Sequence, residues 1–194
     1  MATMSKYGHR SMDWFEAIVN KLGGEEAAEK FLVGDLVVKM AIILYKIATA
    51  SVSAMKRFVA NDSAKKKANI GWTSADFDRL FGNKVEENVG ATNLAVHRLE
   101  RSSLDAPILA ELGARATTPL AYLFELMEKQ SKGEDGVLLV NGYANIMYAI
   151  GNDGNVWAVL ALWYSGRGCW RVYARSVEHP HRWGAGYQIL SRDS

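Results

Sequence analysis

The segment that most restricts the possible fold is Val156–Tyr164, VWAVLALWY, because it contains only apolar and aromatic residues. Side chains alternate between the two faces of a strand, so a strand of this composition is buried on both faces of its sheet. Residues 152–155, NDGN, form a strong turn signal directly before it, since glycine accepts the positive φ that hairpin turns require. We therefore predict an internal strand of a β-sheet that is covered by helices from the upstream chain.

Residues 131–136, SKGEDG, separate two parts of the chain that differ in the spacing of their apolar residues. Upstream of them the apolar residues recur at helical spacing, and downstream the β-branched and aromatic residues form short runs typical of strands. We interpret residues 131–136 as a linker. The sequence thus predicts an α+β fold, in which a mostly helical region, residues 1–130, packs on a small antiparallel sheet within residues 137–194.

The individual helices are predicted from capping residues, proline positions and apolar periodicity. Ser11 caps the first helix, which ends at the glycines of residues 23–24. The apolar stretch of residues 36–59 is expected to be partly helical, and the lysines of residues 65–67 are expected in a solvated loop. The other predicted helices cover residues 25–32, 74–81, 93–101, 105–112 and 120–130, and the other predicted strands cover residues 137–140, 143–150, 170–177 and 187–190.

Composition argues against several classes of protein. A chain with 49% hydrophobic and 23% charged residues can bury a core, which argues against disorder. Lys39 and Lys46 interrupt the apolar stretch of residues 36–59, so we expect no membrane span. Residues 1–10 have no apolar run and do not resemble a signal peptide. Because Cys169 is the only cysteine, the chain has no internal disulfide, and a reducing, cytoplasmic location is favoured.

Positive charge is concentrated at the C-terminal end of the chain. Residues 167–194 carry a net charge of +3 and the remaining residues a net charge of −1. Such asymmetry indicates an anionic or π-rich partner. In the strand predicted at residues 170–177, alternation places Trp170, Val172 and Ala174 in the core and turns the intervening side chains towards solvent. Together with the loop that follows, the candidate ligand-binding residues are Arg171, Tyr173, Arg175, His179, His181, Arg182, Trp183 and Tyr187.

This concentration of arginine and aromatic residues favours a non-catalytic recognition protein. Arginine, tyrosine and tryptophan provide large contact energies with few rotamers, so they dominate protein-binding surfaces. The partner is expected to be a protein or another macromolecule. The alternative is a nucleic-acid-binding protein that uses the same stripe together with the lysines of residues 65–67, since these side chains also stack on bases and bind phosphates. A core strand with incidental surface arginines would explain the same composition.

Catalytic and cofactor signals are weak. Cys169 could act as a nucleophile, or could bind a metal together with His179 and His181, but a single cysteine and an H-x-H pair lack a third fixed ligand. Neither a Walker loop nor a G-x-G-x-x-G motif is present, and we expect no cofactor. The adjacent acidic pairs Glu25-Glu26 and Glu86-Glu87 do not converge and are interpreted as solvated surface.

Two resemblances lie in the same part of the chain. The frame W-x-V-x-A-x-S-V-E-x-P-x-x-W, residues 170–183, is similar to the endings of a group of uncharacterised bacterial proteins, which implies no function. The order of GNVWAVLALWY, RGCW, Arg175, Pro180, Arg182 and GYQ resembles the C-type-lectin-like module of formylglycine-generating enzymes and of variable proteins diversified by retroelements. This resemblance implies a binding protein with a variable C-terminal face. The enzyme branch uses paired cysteines, so its chemistry is not implied for this chain.

Overall fold

The structure is a computed structural model that describes residues 11–34, 42–178 and 181–193. The chain divides into two compact units, residues 1–41 and residues 42–194. In the first unit, helix α1 (Met12–Leu22) begins at the predicted cap, where Ser11 accepts a hydrogen bond from the backbone of Trp14. It ends at Gly23, whose φ of 105° explains the requirement for glycine. Helix α2 (Glu25–Leu32) follows, and neither helix contains a buried residue.

In the second unit helices and strands are interspersed as far as residue 129, and the named elements after that point are strands. Its largest element is a seven-stranded mixed sheet, and two further strands form a separate antiparallel pair. In the described part of the chain no helix has both the length and the apolar character needed to span a bilayer. The elements are β1 (Leu44–Val52), β2 (Met55–Val59), α3 (Asp62–Lys67), β3 (Ile70–Thr73), α4 (Ala75–Phe81), β4 (Val85–Val89), β5 (Thr92–Leu99), α5 (Asp105–Leu112), a short 3₁₀ turn (Gly113–Arg115), α6 (Leu120–Lys129), β6 (Asn145–Ile150), β7 (Val156–Tyr164), β8 (Cys169–Ser176) and β9 (Gln188–Arg192).

The strands of the large sheet lie in the order β1-β5-β9-β6-β7-β8-β3. The pairings β6–β9 and β3–β8 are parallel, and the other four pairings are antiparallel. Strands β2 and β4 form the separate pair. Strands from both halves of the chain therefore build one sheet.

Two apolar cores lie on the two faces of this sheet, and β7 contributes to both. Val159 and Ala161 belong to the first core, which α4 and α6 cover. Ala158 and Leu160 belong to the second core, which α5 covers. The prediction that this strand is buried on both faces is confirmed. Burial of each large apolar side chain in such a core stabilises the fold by about 1.5–3 kcal/mol.

The coarse prediction of a protein with both helices and a sheet is confirmed, but the predicted arrangement is wrong. Residues 1–130 are not mostly helical, because the five strands β1 to β5 also lie there, and the sheet is neither small nor purely antiparallel. Residues 131–136 lie inside the second unit. Residues 93–101 were expected to be helical and instead form most of β5, where Leu94 and Val96 reach the first core and Leu99 reaches the second. Apolar residues on both faces fit a central strand as well as a helix.

The apolar stretch of residues 36–59 is also corrected. Within its described part, residues 42–59, the elements are the strands β1 and β2 rather than helix. Residues 36–41 lie outside the described residues. The lysines of residues 65–67 lie in helix α3, not in a loop, because Asn61 caps that helix by accepting a hydrogen bond from the backbone of Ala64.

Residues 137–140 do not form the predicted strand, because side-chain amides take the place of a neighbouring strand. The Gln130 amide accepts a hydrogen bond from the Leu138 N–H at 2.8 Å and donates to the Leu138 carbonyl at 3.0 Å. The Asn145 amide pairs in the same way with the N–H and the carbonyl of Leu139. The backbone groups of Leu138 and Leu139 are therefore satisfied without a strand ladder.

Candidate recognition surface

Strand β8 presents two chemically different faces. Trp170 and Val172 are completely buried in the first core, and Ala174 is buried with them. On the opposite face Arg171 and Tyr173 are half-buried and Arg175 is exposed. The predicted alternation along this strand is confirmed. The side chains alternate because β8 pairs with β7 on one side and with β3 on the other, and this pairing keeps its backbone extended.

The face of the sheet that carries the second core is only partly covered. Over β6 and β9 it is buried beneath α5 and the loop that contains Trp183. Over the end of β7, over β8 and over β3, aromatic side chains remain accessible: Trp72 is 46% exposed and Tyr164 is 37% exposed. We call this region the open face, and it consists of Trp72, Tyr164, Arg171, Tyr173 and Arg175.

Contacts among the open-face residues hold their side chains in place. The guanidinium carbon of Arg171 lies 3.6 Å from the centroid of the Tyr164 ring, a close cation–π contact. The rings of Trp72 and Tyr173 lie 4.8 Å apart at an angle of 52°. In the described residues, neither Arg171 nor Arg175 forms an ion pair with a carboxylate. The positive charges of this face are therefore available to a ligand.

Trp183 does not belong to this surface. The sequence predicts it as a ligand-binding residue, but its indole is only 1% exposed and lies in the second core. Its Nε1 donates a hydrogen bond of 2.7 Å to Asp105, and the Tyr148 hydroxyl donates one of the same length to the same oxygen. A buried indole N–H needs an acceptor, and Asp105 supplies it.

The carboxyl group of Asp105 is itself almost completely buried, which raises its pKa, although the hydrogen bonds from Trp183 and Tyr148 oppose the shift. Its second oxygen, Oδ2, has no hydrogen-bond partner among the residues that the structure describes. Burial and the adjacent carboxyl group also raise the pKa of Tyr148. This cluster fixes the loop to α5 and β6, so its role is structural.

The other predicted loop residues lie in different surroundings. The His181 ring packs edge-on against Trp183 with centroids 4.4 Å apart, and its Nδ1 lies 3.5 Å from a guanidinium nitrogen of Arg175. Arg182 is exposed. Tyr187 is half-buried against the second core, with its ring 5.7 Å from that of Tyr143. His179 lies outside the described residues.

Two members of the open face were not predicted from the sequence. Tyr164 follows the alternation of β7, in which residues 160, 162 and 164 share the face of the second core, so side-chain alternation along β7 is the sequence signal that indicates it. Trp72 had no such signal. It reaches the site only because β3 pairs in parallel with β8, which places it opposite Arg171.

Cys169 is buried at the start of β8, and Gly71 of β3 lies against it. A Cβ atom at Gly71 would be 2.6 Å from the Cys169 sulfur, so glycine is required for this close approach. Across residues 11–34, 42–178 and 181–193, no group of three or more histidine, cysteine, aspartate and glutamate side chains is arranged to hold a metal ion.

Comparisons with protein-family models, with curated proteins and with solved structures found no match to this chain.

Proposed function

We propose that this chain is a non-catalytic recognition protein that binds a protein partner through the open face. One observation carries this proposal: three aromatic rings lie on an accessible part of the sheet together with two arginines that have no carboxylate partner among the described residues. Such side chains lose little conformational entropy on binding, because their neighbours already hold them. A central cluster of this kind is typical of the residues that dominate the energy of a protein interface.

The arrangement of positive charge favours a protein partner over a nucleic acid. Nucleic-acid binding draws much of its affinity from phosphate contacts, which need several cations on one surface. Lys65 forms an ion pair of 2.8 Å with Asp78, and Lys67 lines a groove with Phe58 and Phe124 of the first core. The open face lies on the other side of the sheet, with Arg171 and Arg175 as its two cations, so the lysines do not extend it.

The resemblance to C-type-lectin-like variable proteins agrees with this proposal. In that module the C-terminal face binds the ligand, and β8 supplies three of the five open-face residues. We therefore propose that sequence variation at the positions of the open face would change which partner is bound.

The test compares two arginine–tyrosine pairs in opposite halves of the sheet. The test variant carries Tyr164→Ala and Arg171→Ala. The matched control carries Tyr45→Ala and Arg98→Ala, which remove an exposed cation–π pair with a separation of 5.8 Å on β1 and β5. Immobilised wild-type protein and both variants are incubated with extract of the source cell, and the retained proteins are identified. We expect a partner that the wild type and the control retain and the test variant does not.

Circular dichroism and thermal unfolding of both variants show whether the fold is kept. Retention is repeated after nuclease treatment and at raised salt concentration, because phosphate contacts weaken steeply with salt whereas aromatic contacts do not. Capture that the test variant keeps, or capture that nuclease abolishes, contradicts the proposal. Trp183 is left unchanged in this design, because its substitution would disturb the second core.

A further inference from the structure

A pocket of about 300 Å³ opens where β8 ends, next to the open face. It lies between the last residues of β8, the start of β7 and the first turn of α4. Its volume is at the lower end of the range for ligand sites and suits a single side chain or a chain terminus. The lining residues are Asp76, Trp157, Ala174, Arg175, Ser176 and His181.

The lining of this pocket carries hydrogen-bond donors, above all the guanidinium of Arg175 and the hydroxyl of Ser176. Arg175 and His181 approach each other to 3.5 Å, so guanidinium and imidazole lie side by side. Ser176 uses its oxygen to accept the N–H of Glu178 at 3.2 Å, which leaves its hydroxyl proton available to donate. The apolar wall is fixed, because the Trp157 indole donates to both carboxylate oxygens of Asp153 at 3.2 and 3.1 Å.

The balance of charge in the pocket favours an anion. Asp76 is the acidic residue in the lining, and Arg79 already pairs with it at 2.9 Å. Arg175 has no carboxylate partner in the part of the chain that the structure describes. A planar guanidinium binds a carboxylate through two parallel hydrogen bonds, and the Ser176 hydroxyl can donate to a remaining lone pair of that carboxylate.

We infer that this pocket binds a carboxylate of the partner protein, while the aromatic residues of the open face bind the apolar groups beside that carboxylate. The inference rests on the proposed recognition function and narrows its partner to one that presents an acidic group next to apolar residues. The carboxylate belongs either to an aspartate or glutamate side chain or to the C-terminus of the partner.

The experiment is an NMR titration of the ¹⁵N-labelled protein with small probes and no partner. The probes are N-acetylalanine, which mimics a C-terminus, the methylamide of N-acetylaspartate, which mimics a side chain, and the methyl ester of N-acetylalanine as the uncharged control. We expect saturable shifts of the Arg175 Nε–H and Trp157 indole resonances with at least one of the two acids and none with the ester. The acid that binds more tightly identifies the source of the carboxylate.

Three variants make the assignment specific. Arg175→Ala is expected to weaken binding of the acid by about ten-fold or more, as for the loss of a charged hydrogen-bond donor. Arg182→Ala removes an exposed arginine that lies next to His181 but does not line the pocket, and binding should stay unchanged. Asp76→Asn should strengthen binding, because it removes the negative charge beside the ligand.

Equal binding of the acid and the ester, or equal loss of binding in Arg175→Ala and Arg182→Ala, overturns the inference. Such a result would not decide the proposed function, which the capture experiment with Tyr164 and Arg171 tests separately. Conversely, the titration could show carboxylate binding while the test variant still captures the partner. That result would support the carboxylate site and contradict the proposed role of the open face.

Discussion

Nε1 of Trp183 donates a hydrogen bond of 2.7 Å to Oδ1 of Asp105, and both side chains are almost completely buried. The contact joins residues 78 positions apart in the chain. It is reinforced by the hydroxyl of Tyr148 in β6, which donates to the same oxygen. A tryptophan from a polar loop is thereby made part of the core, and the loop is held against α5.

The first prediction concerns the acceptor in this contact. Asp105→Ala leaves two buried donors without an acceptor and should lower the free energy of unfolding by about 2–5 kcal/mol. Asp105→Asn keeps an amide oxygen that both donors can bind, so it should lower the free energy of unfolding clearly less than Asp105→Ala does. Denaturant-induced unfolding of the three proteins measures the difference. Equal losses in the two variants would show that the hydrogen bonds to Oδ1 do not stabilise the fold.

The second prediction is the pH dependence of the same group. Burial raises the pKa of Asp105 above its ordinary value of 3.8, so the folded state binds the proton more tightly than the unfolded state. Its contribution to stability is therefore complete below that ordinary value and is lost as pH rises through the raised pKa. The free energy of unfolding of the wild type, relative to that of Asp105→Asn, should fall with rising pH in this window. A difference that is constant with pH would refute the shift.

The third prediction has the opposite sign and concerns His97 in β5. Its side chain is 6% exposed, its Nε2 lies 3.2 Å from the Ser191 hydroxyl, and burial lowers its pKa. Its contribution is therefore complete above the ordinary value of 6.5 and is lost as pH falls through the lowered pKa. The free energy of unfolding of the wild type should fall as the pH is lowered, and that of His97→Gln should lack this fall. If the free energy of unfolding of the variant falls with acid as steeply as that of the wild type, groups other than His97 cause the loss.

The fourth prediction concerns Glu86 and Glu87, two adjacent acidic residues that the sequence predicts to be solvated surface. The carboxylate of Glu86 accepts the N–H groups of Leu120 and Ala121 at 2.9 Å, so it caps α6. The interpretation of Glu86 as solvated surface is therefore wrong. Glu86→Ala should lower the free energy of unfolding by about 1–2 kcal/mol.

Glu87 provides the matched control for this experiment. It forms an exposed ion pair of 3.0 Å with Arg57, and such pairs contribute about 0–1 kcal/mol. Glu87→Ala should therefore have a smaller effect than Glu86→Ala in the same unfolding measurement. If the two variants lose the same stability, the cap on α6 is not the cause.

Features that depend on a few neighbouring residues were predicted from the sequence. The cap at Ser11, the glycine end of α1, the turn before β7 and the two-sided burial of β7 all agree with the structure. The alternation of β8 belongs to this group. Caps, turns and side-chain alternation act over one or two turns of backbone, so their signals lie within short windows of sequence.

Strands β1 and β5 were mistaken for helix because their stability comes from pairing with each other. Thr49 lies opposite Ala95 and Ala50 opposite Leu94, and these partners are far apart in the chain. Each strand by itself contains helix-compatible residues with apolar side chains on both faces. Pairing between distant segments and burial from two sides outweigh such local preferences.

The amino-acid sequence by itself determined that arginine and tyrosine alternate with core residues along β8, because that pattern needs only an extended backbone. Only the tertiary structure decided which other side chains join them. Parallel pairing of β3 with β8 places Trp72 beside Tyr173. The hydrogen bond from Trp183 to the buried carboxyl group of Asp105 holds Trp183 in the core instead of at the surface. Both outcomes depend on contacts between distant segments, and such contacts form only when the sheet and its covering helices are assembled.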